Sequence, residues 1–140
     1  MSTKYMYFTG LCKWAKLQTP DEYNGEKKWK INVYLTKNEQ KQFKESGLKL
    51  KLKEDDDGVY VTFSRPLEVK YPNGDVREFQ APEVIDAELN PIDTLIGNGS
   101  TVTAKVEVFD SNFGIAHRLD KVRVDNLVKY EAPELEEGEF

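Results

Sequence analysis

A chain of 140 residues, 39% hydrophobic and 11% aromatic, holds enough apolar material for one globular domain and little room for a second. It has no apolar run near the roughly 20 residues that cross a bilayer, its opening MSTKYMYFTG lacks the apolar core of a secretory signal, and its single cysteine excludes an internal disulfide and a cysteine-based metal site. The net charge of −5 hides a segregation: residues 4–53 hold twelve lysines against five acids, residues 54–130 eight bases against fifteen acids, and residues 131–140 five glutamates and no base.

In chain order, KYMYFTGLCKWAKL is long and aromatic, and Gly10 interrupts its alternation, which predicts a bulge or sharp bend. KKWKINVYL alternates: Trp29, Ile31, Val33 and Leu35 share one face, and Lys28, Lys30, Asn32 and Tyr34 the other. TKNEQKQFKESG is the one helical stretch, with Thr36 or Asn38 as N-cap, Phe43 as anchor and Gly47 as stop. LKLKLK predicts a strand with Leu48, Leu50 and Leu52 inward and Lys49, Lys51 and Lys53 outward. DDDG at 55–58 is a hairpin signal, GVYVTF the strand after it, and YPNGD at 71–75 a second turn. The segment 80–99, broken by Pro82, Pro91 and Gly97, predicts a long surface loop. TVTAKVEVF and VRVDNLVKY complete the strands, the last reaching Tyr130.

Five or six short strands, one small helix and a long bent first strand predict an all-β domain over 1–130, of the OB type, a five-stranded Greek-key barrel. Residues 131–140 have neither helical period nor strand alternation and predict a disordered acidic tail.

Catalytic chemistry has no foothold in this pattern. His117 stands in GIAHRL without a partner at a recognisable spacing, which favours a packed or surface residue over a catalytic one. Cys12 has no second cysteine or paired histidine and reads as a small residue inside the barrel. Asp55, Asp56 and Asp57 are contiguous, whereas a calcium loop needs alternating ligands and a closing glutamate. IGNGS lacks the Lys-Ser/Thr of a phosphate loop. No enzyme, cofactor or metal is expected.

Single strands of nucleic acid are held by a positive groove along the backbone and by aromatic faces on which bases stack. The strand pattern supplies both on one side: Lys28, Lys30 and Tyr34, then Lys49, Lys51 and Lys53, with Tyr60 across the hairpin. Lys13, Trp14 and Lys16 from the first strand and Tyr23 from the loop before Lys27 join them. The alternating lysines could equally guard an edge strand, and Tyr34 and Tyr60 could be ordinary cross-strand packing. Trp29, in register with Ile31 and Val33, reads as core. The competing class is a protein-interaction or virion module built on the same barrel.

KWAKLQTPDEYNGEKKWKINVYL, PEVIDAELNPIDTLIGNGSTVTAKVEVF and LVKYE before an acidic tail ending in Phe together resemble the single-stranded DNA-binding proteins of tailed bacteriophages. The resemblance implies an OB barrel that coats transient single-stranded DNA during replication, recombination and repair in the cytoplasm of an infected bacterium. It also implies a tail, here Glu134, Glu136, Glu137, Glu139 and Phe140, that recruits phage replication proteins such as a polymerase, a helicase or primase, or a nuclease. The cellular form of such a tail ends in aspartates, a proline and Phe, whereas glutamates and a glycine precede Phe140. Ten extended residues reach about 30 Å, enough to place this polyanion in the domain's own basic groove or that of a second copy in a homodimer. No membrane partner is expected.

Overall fold

The structure, a computed structural model, describes residues 3–23, 25–48, 50–92, 96–111 and 114–128, with backbone alone at 3, 19, 23 and 111. In chain order the elements are β1 (Thr3–Tyr23), β2 (Glu26–Tyr34), α1 (Lys37–Glu45), β3 (Lys53–Asp55), β4 (Gly58–Pro66), β5 (Glu68–Lys70), β6 (Val76–Glu78), β7 (Glu83–Asp86), β8 (Thr101–Ser111) and β9 (Gly114–Asn126). Seven of the strands form one sheet in the order β3-β4-β2-β1-β8-β9-β7, and β5-β6 form a separate hairpin arm.

The long first strand works for two partners. Its first half, Thr3 to Leu11, pairs with β8, and from Cys12 to Tyr23 it pairs with β2. The change of partner falls between Leu11 and Cys12, just after Gly10, where a Cβ would sit 1.8 Å from the Tyr34 carbonyl oxygen. Only a residue without a side chain lets the two backbones approach so closely. Irregularities between Lys13 and Lys16 and between Lys16 and Asp21 bend the second half further. The sheet thereby curls until β4 meets β9, where Ser64 N–H donates to His117 Nε2 at 3.1 Å and Arg65 Nη1 to the Leu119 carbonyl at 3.2 Å. Around the barrel the order is β1-β2-β4-β9-β8, the OB fold, with its last seam closed by side chains in place of a ladder.

Alternation along these five strands fills the interior. Phe8 stacks on Phe63 at 5.2 Å and meets Phe43 of α1 edge-on at 6.1 Å. Ile31, Val33, Val61, Val102, Val106, Leu119 and Val122 surround them, all buried, with Cys12 among them. Each such side chain contributes about 1.5–3 kcal/mol by leaving water. Thr36 caps α1 by accepting from Glu39 N–H at 3.3 Å, and Gly47 ends it with a φ of 80°. Both turns form as read: Asp55 pairs with Gly58, and Tyr71 N–H donates to the Asp75 carbonyl at 2.8 Å, closing the arm.

Two expectations are corrected. Leu48 to Leu52 is not a strand; the ladder begins at Lys53, opposite Tyr60. Leu48 is buried and Leu50 and Leu52 pack on the core while Lys51 is exposed, so the alternation sorted side chains correctly without a hydrogen-bonded partner. That partner is lacking because the edge of β4 beyond Tyr60 turns toward β9 at Ser64. The segment 80–99 is not wholly loop, since Glu83 to Asp86 pairs in parallel with Lys121 to Val124. The last strand ends at Asn126; its expected end at Tyr130 and the tail lie outside the described residues.

Candidate nucleic-acid interface

Directly paired residues of adjacent strands point to the same face of a sheet. Across β1, β2 and β4 the outward rows are Lys13, Asn32 and Thr62; Lys16, Lys30 and Ser64; and Asp21, Lys28 and Pro66. Lys28 and Lys30 therefore share one face, as the alternation predicts, and the irregularity between Lys13 and Lys16 brings both of these onto it as well. Asn32 and Thr62 lock its centre through a 2.6 Å side-chain hydrogen bond. Lys53, opposite Tyr60, continues the basic face onto β3, and Lys51 is exposed just before it. Lys49, the side chain of Tyr23, and Glu134, Glu136, Glu137, Glu139 and Phe140 lie outside the described residues.

The lysines are not bare. Lys30 Nζ lies 2.7 Å from Asp21, Lys28 lies 3.9 Å from Glu26, and Lys13 pairs with Asp57 of the β3–β4 turn. The hydrogen bond from Lys30 holds the Asp21 carboxyl below its ordinary range, and the bond to Asp57 raises Lys13. Exposed pairs of this kind are each worth about 0–1 kcal/mol, so a phosphate can replace the carboxylate at little cost. The carboxylates occupy the lysines in the way phosphates would.

Tyr34 departs from its expected place. It is 8% exposed, lies with its ring 5.1 Å from that of Tyr60, and donates its hydroxyl to Asp55 at 2.5 Å. Burial first, then the bond to Asp55, raises its pKa, while the same bond lowers that of Asp55. β2 ends here as the chain turns into Leu35 and α1, so three consecutive residues, Val33 to Leu35, are buried and the alternation stops. Tyr34 lies beside Tyr60 on the same sheet face, but it is covered and does not offer a free ring. Tyr60, half-buried, stays on the interface.

Trp14 is the opposite case. It is 62% exposed and adopts φ 53°, the left-handed region, which costs a bulky residue about 1–3 kcal/mol. The loop Gly97–Ser100 holds it there: Cys12 N–H donates to the Ser100 carbonyl at 2.8 Å, Gly99 N–H to the Cys12 carbonyl at 2.9 Å, and Trp14 N–H to Asn98 Oδ1 at 2.8 Å. A large indole is thus fixed in water, against both its backbone preference and its hydrophobicity, beside Lys13 and Lys16. As sequence, IGNGS is tested against a phosphate loop, and nothing in it marks Trp14 as its object.

Trp29 is buried, as read, but its indole Nε1 has no hydrogen-bond acceptor among the described residues. His117 is a seam residue: burial, then the charges of Lys28 and Arg118, push its pKa down to about 4, and the neutral ring accepts from Ser64. Burial pushes the Cys12 thiol up to about 11. Among the described residues no three metal-ligating side chains converge. Sequence reasoning passed over Arg65, Arg77 and Arg118, whose guanidinium carbons stand 5.2, 4.6 and 4.5 Å from the ring centre of Phe79. They are scattered along the chain, so no local pattern marked them.

No protein-family model and no curated protein sequence matches the chain. Solved structures do. The chain is similar to the single-stranded DNA-binding protein gp2.5 of bacteriophage T7, with a TM-score of 0.66 at 13% identity over 99% of this chain and 93% of that one. It is also similar to the single-stranded DNA-binding protein of bacteriophage Enc34 in complex with single-stranded DNA, with a TM-score of 0.56 at 16% identity over 89% and 88%. A C-terminal truncation of the Enc34 protein gives 0.55 at 17% identity over 93% and 88%. At these identities the likeness establishes the shared fold.

Proposed function

We propose that this chain is a non-enzymatic, sequence-tolerant binder of single-stranded DNA. The observation that carries the reading is Trp14, an exposed indole locked in a strained backbone at the border of a lysine-bearing sheet face. Bases stack on Trp14 and Tyr60, and phosphates replace the carboxylates on Lys13, Lys28 and Lys30, with Lys16, Lys51 and Lys53 adding attraction. By general magnitudes each stacked base contributes about 1–3 kcal/mol whatever its identity, which gives affinity without readout. The fold shared with two phage single-stranded DNA-binding proteins agrees with this use.

Within that reading the protein coats single strands exposed during phage replication, recombination and repair inside the host cytoplasm. The acidic segment 131–140 competes with DNA for the basic face and, when displaced, recruits replication proteins. Tryptophan fluorescence titrated with oligo-dT at two salt concentrations tests the core of the proposal. Trp14 is the exposed indole, so the quenching should be largely lost in Trp14→Gly, and in wild type it should be saturable and weaken steeply with salt. Absence of quenching and of salt-sensitive binding would leave the protein-interaction module in its place. Deleting 131–140 should tighten binding most at low salt, where screening is weakest.

A further inference from the structure

Beyond the sheet face, the open end of the barrel gathers hydrogen-bond donors with few acceptors. Arg65 of β4, Arg77 of β6 and Arg118 of β9 surround Phe79. Each guanidinium offers five N–H donors. Arg65 gives one to the Gln80 carbonyl at 2.7 Å and one to the Leu119 carbonyl, and Arg118 gives one to Glu107 at 3.3 Å. Arg77 makes no hydrogen bond or ion pair among the described residues, and it is exposed. Of the two carboxylates that act on Arg65, Glu107 is bonded to Arg118 and Asp120 is paired with Lys105 at 3.6 Å; Glu68 and Glu78 face each other across the arm. Burial, then the charge of Arg118, lowers the pKa of Arg65, with Arg77 adding to it. Trp29, directly opposite Arg65 in the β2–β4 register and so on the same face, adds a buried indole N–H without an acceptor among the described residues.

Packing of the arm explains the stacking on Phe79 but not the surplus of donors. We propose that this cluster is an oxyanion site for a phosphodiester of a bound single strand, reached along the cleft between the β1–β2 turn and the arm. The proposal rests on the DNA-binding reading above and extends its track. The cleft, of about 860 Å³, carries Lys27, Lys28 and Lys70 on its wall beside Leu67 and Val69, together with Glu26 and Glu68, which pair with Lys28 at 3.9 Å and Lys70 at 3.7 Å and which a phosphate would displace. Lys28 and Pro66 are the outermost row of the sheet face, and Val69 is paired with Arg77 across the arm. A strand leaving Lys30 and Lys28 therefore meets Lys27 and Lys70 in the cleft and Arg77 at its far side. Planar guanidinium matches two oxygens of a phosphate, a match that the ammonium of lysine cannot make.

The test uses the full chain and oligo-dT of about fifteen nucleotides, within the span of one OB fold. Wild type, Arg77→Gln and Arg77→Lys are compared in the slope of log affinity against log salt. Arg77→Gln keeps length and polarity and should lower the slope by about 0.7, the share of one phosphate, with affinity down about tenfold at low salt. Arg77→Lys should restore the slope and recover only part of the affinity. Thermal midpoints should agree among the three, which separates anion binding from arm packing. In wild type the Trp29 indole N–H resonance should shift on adding oligo-dT, and in Arg77→Gln it should shift less. Wild-type slope and affinity in both variants, while wild type itself binds, would overturn the site and leave the sheet-face reading standing. If wild type does not bind at all, both fall.

Discussion

At the scale of single residues, two candidate aromatics end in opposite surroundings, Trp14 exposed and Tyr34 buried. Trp14 lies at a bend where periodicity says nothing, and it proves to be the exposed indole. Replacing it by Gly should reveal the trade it embodies. Glycine adopts φ 53° freely, so the change relieves about 1–2 kcal/mol of strain. It also removes a stacking platform worth about 1–3 kcal/mol. Urea unfolding should show equal or greater stability, and an oligo-dT titration roughly a tenfold or greater loss of affinity. A variant that is both less stable and unchanged in binding would refute the assignment. Tyr34, by contrast, is read from the sequence as facing outward and is found buried. Tyr34→Phe should cost about 0.5–1.5 kcal/mol of stability by losing its bond to Asp55 and leave DNA affinity nearly intact, measured by the same two experiments. A binding loss without a stability loss would restore it to the interface. What misled the alternation is local: the chain leaves the sheet at Leu35, and burial there is set by α1 and the β3–β4 hairpin.

Among the elements, the pattern of apolar residues identified side-chain faces better than pairing. β2, β4 and β8 were legible because each presents one apolar face to a common interior for nine or more residues, and α1 because Thr36 caps it, Phe43 anchors it and Gly47 ends it. β7 was not, since its four residues lie between prolines and are held by partners distant or irregular in sequence, a parallel ladder with β9 and a single bridge from Ile85 to Pro91. The stretch 48–52 failed for the opposite reason, a good alternation without a ladder to join. Gly10 was legible as a break, and the structure supplies its cause. Gly10→Ala would put a methyl group 1.8 Å from a backbone oxygen of Tyr34, which no side-chain rotation can relieve. We expect the β1–β2 pairing to be forced apart, with a loss on the order of 3 kcal/mol or more, read as a drop in the urea midpoint or as failure to fold. Wild-type stability in that variant would mean that β1 does not hand over from β8 to β2 at this point.

For the molecule as a whole, the decisive feature is that the barrel closes at β4 and β9 through side chains. His117 is central to that seam, and its ring accepts from Ser64 only when Nε2 is unprotonated. Its pKa falls from an ordinary 6.5 to about 4, chiefly through burial. Between these two values the unfolded chain binds a proton that the folded barrel refuses. Stability therefore rises with pH across this window, and acidification from 6.5 toward 4 removes it. The shift corresponds to at most about 3 kcal/mol at 1.36 kcal/mol per unit, and less where water reaches the ring. His117→Gln can still offer Ser64 an acceptor but cannot titrate. It should be somewhat less stable than wild type at pH 7 and lose less on acidification, so the two stability curves converge by about pH 4. Carboxylates titrate in the same range in both proteins, which makes the difference between the curves, from urea midpoints at half-unit steps, the quantity to measure. Parallel curves would show that the seam does not depend on a neutral His117. The sheet face that carries Lys13, Lys28 and Lys30 includes β4, so opening the seam also disturbs the interface. Oligo-dT affinity should then fall in wild type below pH 5 and hold longer in the Gln variant, coupling barrel closure to strand binding through one imidazole.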